Sequence, residues 1–381
     1  MPVREAERIR PRPAVSAVSH SPHLDSLRAI AALSVVLVHV SFYAPVHAAW
    51  AQRLLLQSRA GVWIFFVLSG YLLYRPFARA HAERGDSPRV GAYFTRRFLR
   101  VYPAYWVALI FFTYVTHQTL LYHSGSARST FLQFGLLQIY NPTETFQGLA
   151  QTWSLAVEIT FYLMLPVYAF AIGAAARRWR PFVVEVVGAL LLAVAGFAWW
   201  VHAAHDWVAQ QWLPMFLPVF ACGIGLAVAE VHAARDARVG RAWAYAGRHA
   251  GSAWLVAVAA VLLASRFTNG VDNHPTVQFF YTLFGLLLVL PAAAIGDGGG
   301  RVRAFLRTPA LVYVGRISYG LFLWHYLIMF TVRDHWLGGG TSAPTLGVAL
   351  LTLGPSLAAA AGSWYLIERP ALRLATRITR R

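Results

Sequence analysis

Apolar stretches about as long as a bilayer is thick follow one another through this chain, and they constrain its fold more tightly than anything else in it. A helix needs about 20 apolar residues to cross the hydrocarbon core. Segments near 27–44, 61–78, 100–121, 152–173, 182–202, 212–230, 251–266, 276–295, 309–331 and 344–367 satisfy that length. Charged residues make up 13% of the chain and hydrophobic ones 58%, whereas a soluble domain carries about a quarter charged residues. The expected fold is all-α, a polytopic transmembrane bundle of about ten helices. It divides into an N-terminal tail over 1–22, a membrane domain over 23–370 and a basic tail over 371–381. The connection over about 122–151 contains STFLQFGLLQIY, which reads as an interfacial or re-entrant segment.

All 33 basic residues are arginine, and the net charge is +18. Their distribution accounts for that charge. If the ten segments alternate in direction, all but Arg53, Arg59, Arg128, Arg266 and Arg333 fall on one side of the membrane. By the positive-inside rule that side is the cytoplasm. Both termini are therefore expected to be cytoplasmic, with the protein multi-pass in the cell (inner or plasma) membrane and in contact with its lipid. Basicity of this kind calls for no nucleic-acid partner. The lone Cys222 excludes an intramolecular disulfide and a cysteine metal cluster, and His202 and His205 have no further ligands near them, so no metal is expected.

The first segment, HLDSLRAIAALSVVLVHVSFYAP, holds Asp25, Arg28 and, well inside it, His39. Eleven residues on a helix return to within about 20° of the same face with a rise of about 16 Å, so Arg28 and His39 lie on one stripe. Ionisable residues at bilayer depth are candidates for function, and neutral imidazole suits a general base. In the second segment Ser69 and Gly70 interrupt a bulky apolar run, either for close helix packing or to admit a slim ligand. In YFTRRFLRVYPAYW, Arg96, Arg97 and Arg100 cluster where a helix enters from the cytoplasm. They can anchor in anionic headgroups or clamp phosphates. QTWSLAVEITFYLMLP places Ser154, Glu158 and Tyr162 four residues apart on one face. In RISYGLFLWHYLIMF, His325 falls near mid-depth. Counting from the membrane faces brings His39, Glu158 and His325 to one level, as a buried reaction or translocation site. Glu368 and Arg369, in LIERP, read as an interfacial ion pair.

Taken together, these residues resemble the acyltransferase-3 family of bacterial integral-membrane acyltransferases. LDSLRAIAALSVVLVHV carries an arginine, ten residues and a histidine, and GVWIFFVLSGYLL is similar to a Phe-Phe-x-x-Ser-Gly motif. RRFLRVYPAYW, TWSLAVEITFYLMLP and RISYGLFLWHY follow in the family's order. The resemblance implies a ten-helix catalytic unit and an acetyl-CoA or other acyl-CoA co-substrate on the cytoplasmic side. In that reading Arg96, Arg97 and Arg100 hold CoA phosphates or position its pantetheine, Arg28 orients the donor, and Ser69 and Gly70 leave room for the acyl arm. His39 is the essential catalytic residue. Glu158 shapes the inner cavity or assists proton movement, and Asp25, Trp153, Ser154, Tyr162 and His325 contribute to the substrate site.

The implied reaction is O-acyl transfer, foremost O-acetylation, to a hydroxyl of a carbohydrate or glycosylated acceptor. His39 serves as base or as transient acyl carrier. A proton-coupled transporter using the same histidines and Glu158 as a relay is the alternative from another class, and an inactive scaffold is the third.

Overall fold

The computed structural model describes residues 21–124, 126–203, 205–268, 274–296, 300–338 and 344–380. The arginines of the N-terminal tail (Arg4, Arg8, Arg10 and Arg12) and Arg381 lie outside the described residues. The described residues contain helices and no strand. In order they are α1 (Pro22–Tyr43), α2 (Ala49–Leu56), α3 (Gly61–Glu83), α4 (Val90–Ile110), α5 (Leu120–Ser124), α6 (Ala127–Phe134), α7 (Trp153–Ala176), α8 (Pro181–His202) and α9 (Leu213–Ala233). There follow α10 (Ala237–Arg248), α11 (Ala250–Ala264), α12 (Pro275–Ala294), α13 (Gly300–Leu306), α14 (Pro309–Arg316), α15 (Ser318–Thr331), α16 (Thr345–Ser363) and α17 (Arg369–Thr379).

The helices start where the sequence allows it. Proline occupies the first turn of α1, α8, α9, α12 and α14, where its missing N–H costs nothing. Asp236 caps α10 by accepting from the N–H groups of Arg238 and Val239. Those two hydrogen bonds, Val239's first, hold its carboxyl below the usual carboxylate range.

α8 shows what surrounds the bundle. Val187, Leu190, Leu191, Val194, Phe197 and Val201 are exposed, while Gly188, Gly196 and Trp200 face inward. A helix as apolar outside as inside has hydrocarbon for its solvent. Eight helical segments among the described residues are long and apolar enough to cross a membrane. A ninth is formed if α10 and α11, which meet at a 73° bend, count as one span. Two of the ten expected stretches are therefore broken or short: α11 has only 15 residues, and the stretch over 309–331 divides at Ile317 into α14 and α15.

α1 and α3 form the centre. α3 crosses α9 where Gly70 meets Gly223, so closely that a Cβ on either would strike a carbonyl oxygen of the other helix (Phe220 or Val67). Small residues permit that approach. α1 packs against α14 in the same way, with Gly315 on the Asp25 carbonyl.

Between α6 and α7 the chain is irregular apart from short 3-10 turns over 138–140 and 150–152, and much of it is buried: Leu136, Ile139, Leu149, Gln151 and Thr152 are all inaccessible or nearly so. Side chains from neighbouring segments take up some of its backbone oxygens. Tyr102 donates to Gly135 O (3.2 Å) and Trp212 to Ile139 O (3.0 Å). Such backbone is tolerated at membrane depth only when the protein satisfies it. One consequence is that α7 begins in the interior.

The residues expected as a basic tail instead form α17, which follows α16 through a π-helical turn over 364–368. α17 packs on α4, burying Ala375, and Arg89 donates to Thr379 O at 3.0 Å. Glu368 is not an interfacial partner of Arg369. It is 1% exposed and accepts a hydrogen bond from Ser363 Oγ at 3.1 Å, because the π turn rotates it into the bundle.

Candidate active site

Two cavities lie end to end along α1. The smaller, about 120 Å³, is lined by Arg28, Arg97 and Arg100 at one end and by Ser69, Glu158 and Tyr162 within. The larger, about 910 Å³, is lined by His39, Trp153, Gln151, Gln118 and Tyr326. Val35 and Val62 line both. The smaller cavity is walled entirely by helices α1, α3, α4, α7 and α15. The larger takes part of its wall from the connections, with Phe146, Gly148 and Gln210 among them.

At the arginine end, α4 turns Arg97 and Arg100 inward, three residues apart, while Arg96 is exposed and lines neither cavity. The Arg97 guanidinium lies 6.0 Å from the Tyr162 ring and that of Arg100 6.0 Å from the Tyr319 ring. Neither makes a hydrogen bond or ion pair with another described residue. Arg28, by contrast, is tied to Asp25 at 3.3 Å. Asp25 is 2% exposed and lines neither cavity. Glu158 accepts a hydrogen bond from Ser69 Oγ. Gly70 leaves no room for a ligand arm, since its open side is filled by α9. Ser154 lines the small cavity and donates to Gln151 O at 3.3 Å, whereas its neighbour Trp153 lines the large one.

His39 is half-buried at the edge of the large cavity. Its Nδ1 lies 2.8 Å from Val35 O and 3.0 Å from His325 Nε2. A carbonyl can only accept, so Nδ1 carries the proton. His325 repeats the arrangement, with its Nδ1 3.0 Å from Leu321 O. That leaves His325 Nε2 unprotonated, able to accept from His39 Nδ1–H. One proton assignment therefore satisfies both rings, and it leaves His39 Nε2 with a free lone pair and no partner among the described residues. The Tyr326 ring packs edge-on against His39 at 5.0 Å, and its hydroxyl meets that of Tyr43 at 2.7 Å.

His325 is 0% exposed and lines neither cavity. Its contact with the site is the hydrogen bond to His39. Glu158, expected at one level with the histidines, lines the other cavity from His39, with Val35 and Val62 between the two. Sequence reasoning missed Val35, Val62, Gln151 and Tyr326. Of these only Tyr326 carried a signal, as the residue after His325 in an aromatic run.

At the rim of the large cavity, Arg333 grips Asp334 through two hydrogen bonds, at 2.6 and 2.9 Å. They hold that carboxyl below its ordinary range. The Arg333 guanidinium stacks on Phe330 at 4.7 Å.

A helical membrane bundle with a lone-pair imidazole over a cavity and uncommitted arginines at its other end has the makings of a group-transfer enzyme. Residues 22–366 match the acyltransferase domain of the acyltransferase-3 family, and the chain belongs to that family. It is similar to Nodulation protein 10 of Rhizobium leguminosarum bv. viciae, at 29% identity over 95% of this chain and 96% of that protein. It is also similar to the peptidoglycan O-acetyltransferase OatA of Listeria monocytogenes, at 24% identity over 92% of this chain and 55% of that protein. The chain thus spans about half the length of the latter. No solved structure matches it.

Proposed function

We propose that the protein transfers an acyl group, foremost acetyl, from acyl-CoA to a hydroxyl of a carbohydrate or glycosylated acceptor. The observation that carries this reading is the proton assignment that leaves His39 Nε2 as a free base facing a cavity of about 910 Å³. The donor's phosphates meet Arg97 and Arg100, whose guanidinium donors no described residue takes up, and its arm runs along the small cavity past Ser69 and Glu158. Like charges so close together favour an anionic ligand. The acceptor occupies the large cavity, where the Trp153 ring and the amides of Gln118 and Gln151 suit a sugar's apolar face and hydroxyls. In this reading the protein lies in a cell membrane with the arginine end and both termini facing the cytoplasm, which the one-sided distribution of arginine supports.

In the reaction, His39 Nε2 takes the acceptor's hydroxyl proton as its oxygen attacks the thioester carbonyl. The C–S bond then breaks, and the departing CoA thiolate takes the proton back from the imidazolium. Val35 O and His325 Nε2 hold Nδ1–H throughout and stabilise the transient cation. Glu158 lies too far along the path to act on the hydroxyl; with Ser69 it shapes the donor channel and balances Arg28.

The test uses the full chain in lipid nanodiscs with labelled acetyl-CoA, together with mass analysis of envelope glycans and small glycosylated metabolites from cells with and without it. The expected result is CoA binding, thioester turnover and an ester mass increment on one acceptor, with His39→Ala abolishing turnover while CoA still binds. Absence of both CoA binding and turnover refutes the reading.

A further inference from the structure

Among the described residues, Val35 and Val62 alone are common to the two cavities. Val35 is 2% exposed and Val62 8%. Aromatic side chains flank them: Phe65, Phe66 and Phe322 line the small cavity, and Trp63 and Trp153 the large one. The two valines are slimmer than the aromatic rings beside them, and the boundary between the chambers lies at them. Along α1, Val35 stands about 10 Å from Arg28 and about 6 Å, one turn, short of His39. A β-branched side chain on a helix is nearly fixed at χ1, so this neck does not widen by rotation.

We propose that Val35 and Val62 select the acyl group by its width. This rests on the donor assignment above. A donor bound at Arg97 and Arg100 reaches His39 only by passing its acyl group through the neck first, so that the thioester carbonyl emerges beside Nε2 with its sulfur still between the valines. An unbranched acyl group is no wider than the pantetheine arm that follows it and goes through. A branched or aromatic acyl group is stopped. Its length is of less consequence, because the chamber beyond is about 910 Å³. The chemistry is unchanged: the same C–S bond breaks and the same ester forms.

The experiment measures CoA release by membranes containing the full chain, with acetyl-, butyryl-, isobutyryl- and benzoyl-CoA as donors and the native envelope as acceptor source. CoA binding is followed in parallel. For the unaltered chain, acetyl and butyryl donors are expected to react and the isobutyryl and benzoyl donors to fail. Val62→Ala and, independently, Val35→Ala raise the isobutyryl-to-acetyl ratio of kcat/KM by about 10-fold or more, the scale of discrimination that one methylene gives in an apolar pocket. Val62→Phe closes the neck, so that turnover of every donor is lost while CoA binding persists. If the unaltered chain turns over acetyl-CoA and both alanine variants keep its donor ratios, width selection at this neck is refuted while the acyltransferase reading stands. If the unaltered chain uses isobutyryl-CoA as readily as acetyl-CoA, the proposal is refuted directly. If no donor is bound or turned over, the acyltransferase reading fails and the selection falls with it.

Discussion

Replacing His325 by alanine leaves His39 its lone pair and removes one of the two groups that hold its other nitrogen. Val35 O, at 2.8 Å, still accepts from Nδ1–H, so the tautomer survives. What is lost is the bond to His325 Nε2 at 3.0 Å. In the ground state that bond joins neutral groups and contributes about 0.5–1.5 kcal/mol. In the transition state His39 carries a proton on each nitrogen, and a hydrogen bond to a charged group contributes about 1.5–3 kcal/mol. Only the difference between the two, about 1–1.5 kcal/mol, appears in kcat, and at 1.36 kcal/mol per tenfold in rate it corresponds to a loss of about 5- to 15-fold. Acyl-CoA binding is unaffected, since His325 lines neither cavity. His325→Gln, which can offer an amide oxygen as acceptor, restores part of the rate. The assay is steady-state CoA release in nanodiscs at saturating acetyl-CoA, with CoA binding measured separately. Unchanged kcat in His325→Ala, or a loss confined to KM, refutes the orienting role. So does a glutamine variant no faster than alanine.

Other expectations follow from the same geometry. Arg97→Ala and Arg100→Ala each raise KM for acyl-CoA by about 10- to 150-fold if each loses one charge-assisted hydrogen bond, and Arg96→Ala, at an exposed position, changes it little; titration with acetyl-CoA measures all three. Gly223→Leu drives a side chain into the α3 backbone at Val67 and destabilises by about 1–3 kcal/mol or more, read as lower folded yield and melting temperature in detergent. Asp334, whose carboxyl is lowered by the Arg333 hydrogen bonds, adds stability above the unfolded carboxylate range that disappears as pH falls through its lowered folded pKa. The melting temperature of Asp334→Asn should therefore fall less on acidification than that of the unaltered chain.

Much of this arrangement was legible in the linear sequence. Apolar length and arginine alternation predicted a helical membrane bundle, and every expected apolar stretch is helical in its larger part. Residue types at bilayer depth singled out Arg28, His39, Glu158 and His325. What a count along one helix cannot supply is where neighbouring helices begin and which way they are turned. His39 and His325 meet because α1 and α15 pack side by side, 286 residues apart in the chain. Glu158 was expected beside them and lines the next chamber; how α7 is set along α1 is a matter of packing that no periodicity encodes. Gly70 pointed to a small-residue requirement, and only the position of Gly223 shows that a helix and not a ligand imposes it. Arg96 and Arg97 are adjacent in sequence, and a 100° turn separates an exposed guanidinium from one facing the cavity.

The two chambers are made of different material. Helices alone enclose the smaller chamber, so its shape is locked to the packing of the whole bundle. Part of the opposite chamber is surfaced by Phe146, Gly148 and Gln210 from segments between helices, where substitutions and changes of length disturb little else. Under the proposed reaction, such a scaffold can keep one activated carrier and be refitted for a different recipient by grafting a connecting segment, with the His39 imidazole left undisturbed at the boundary.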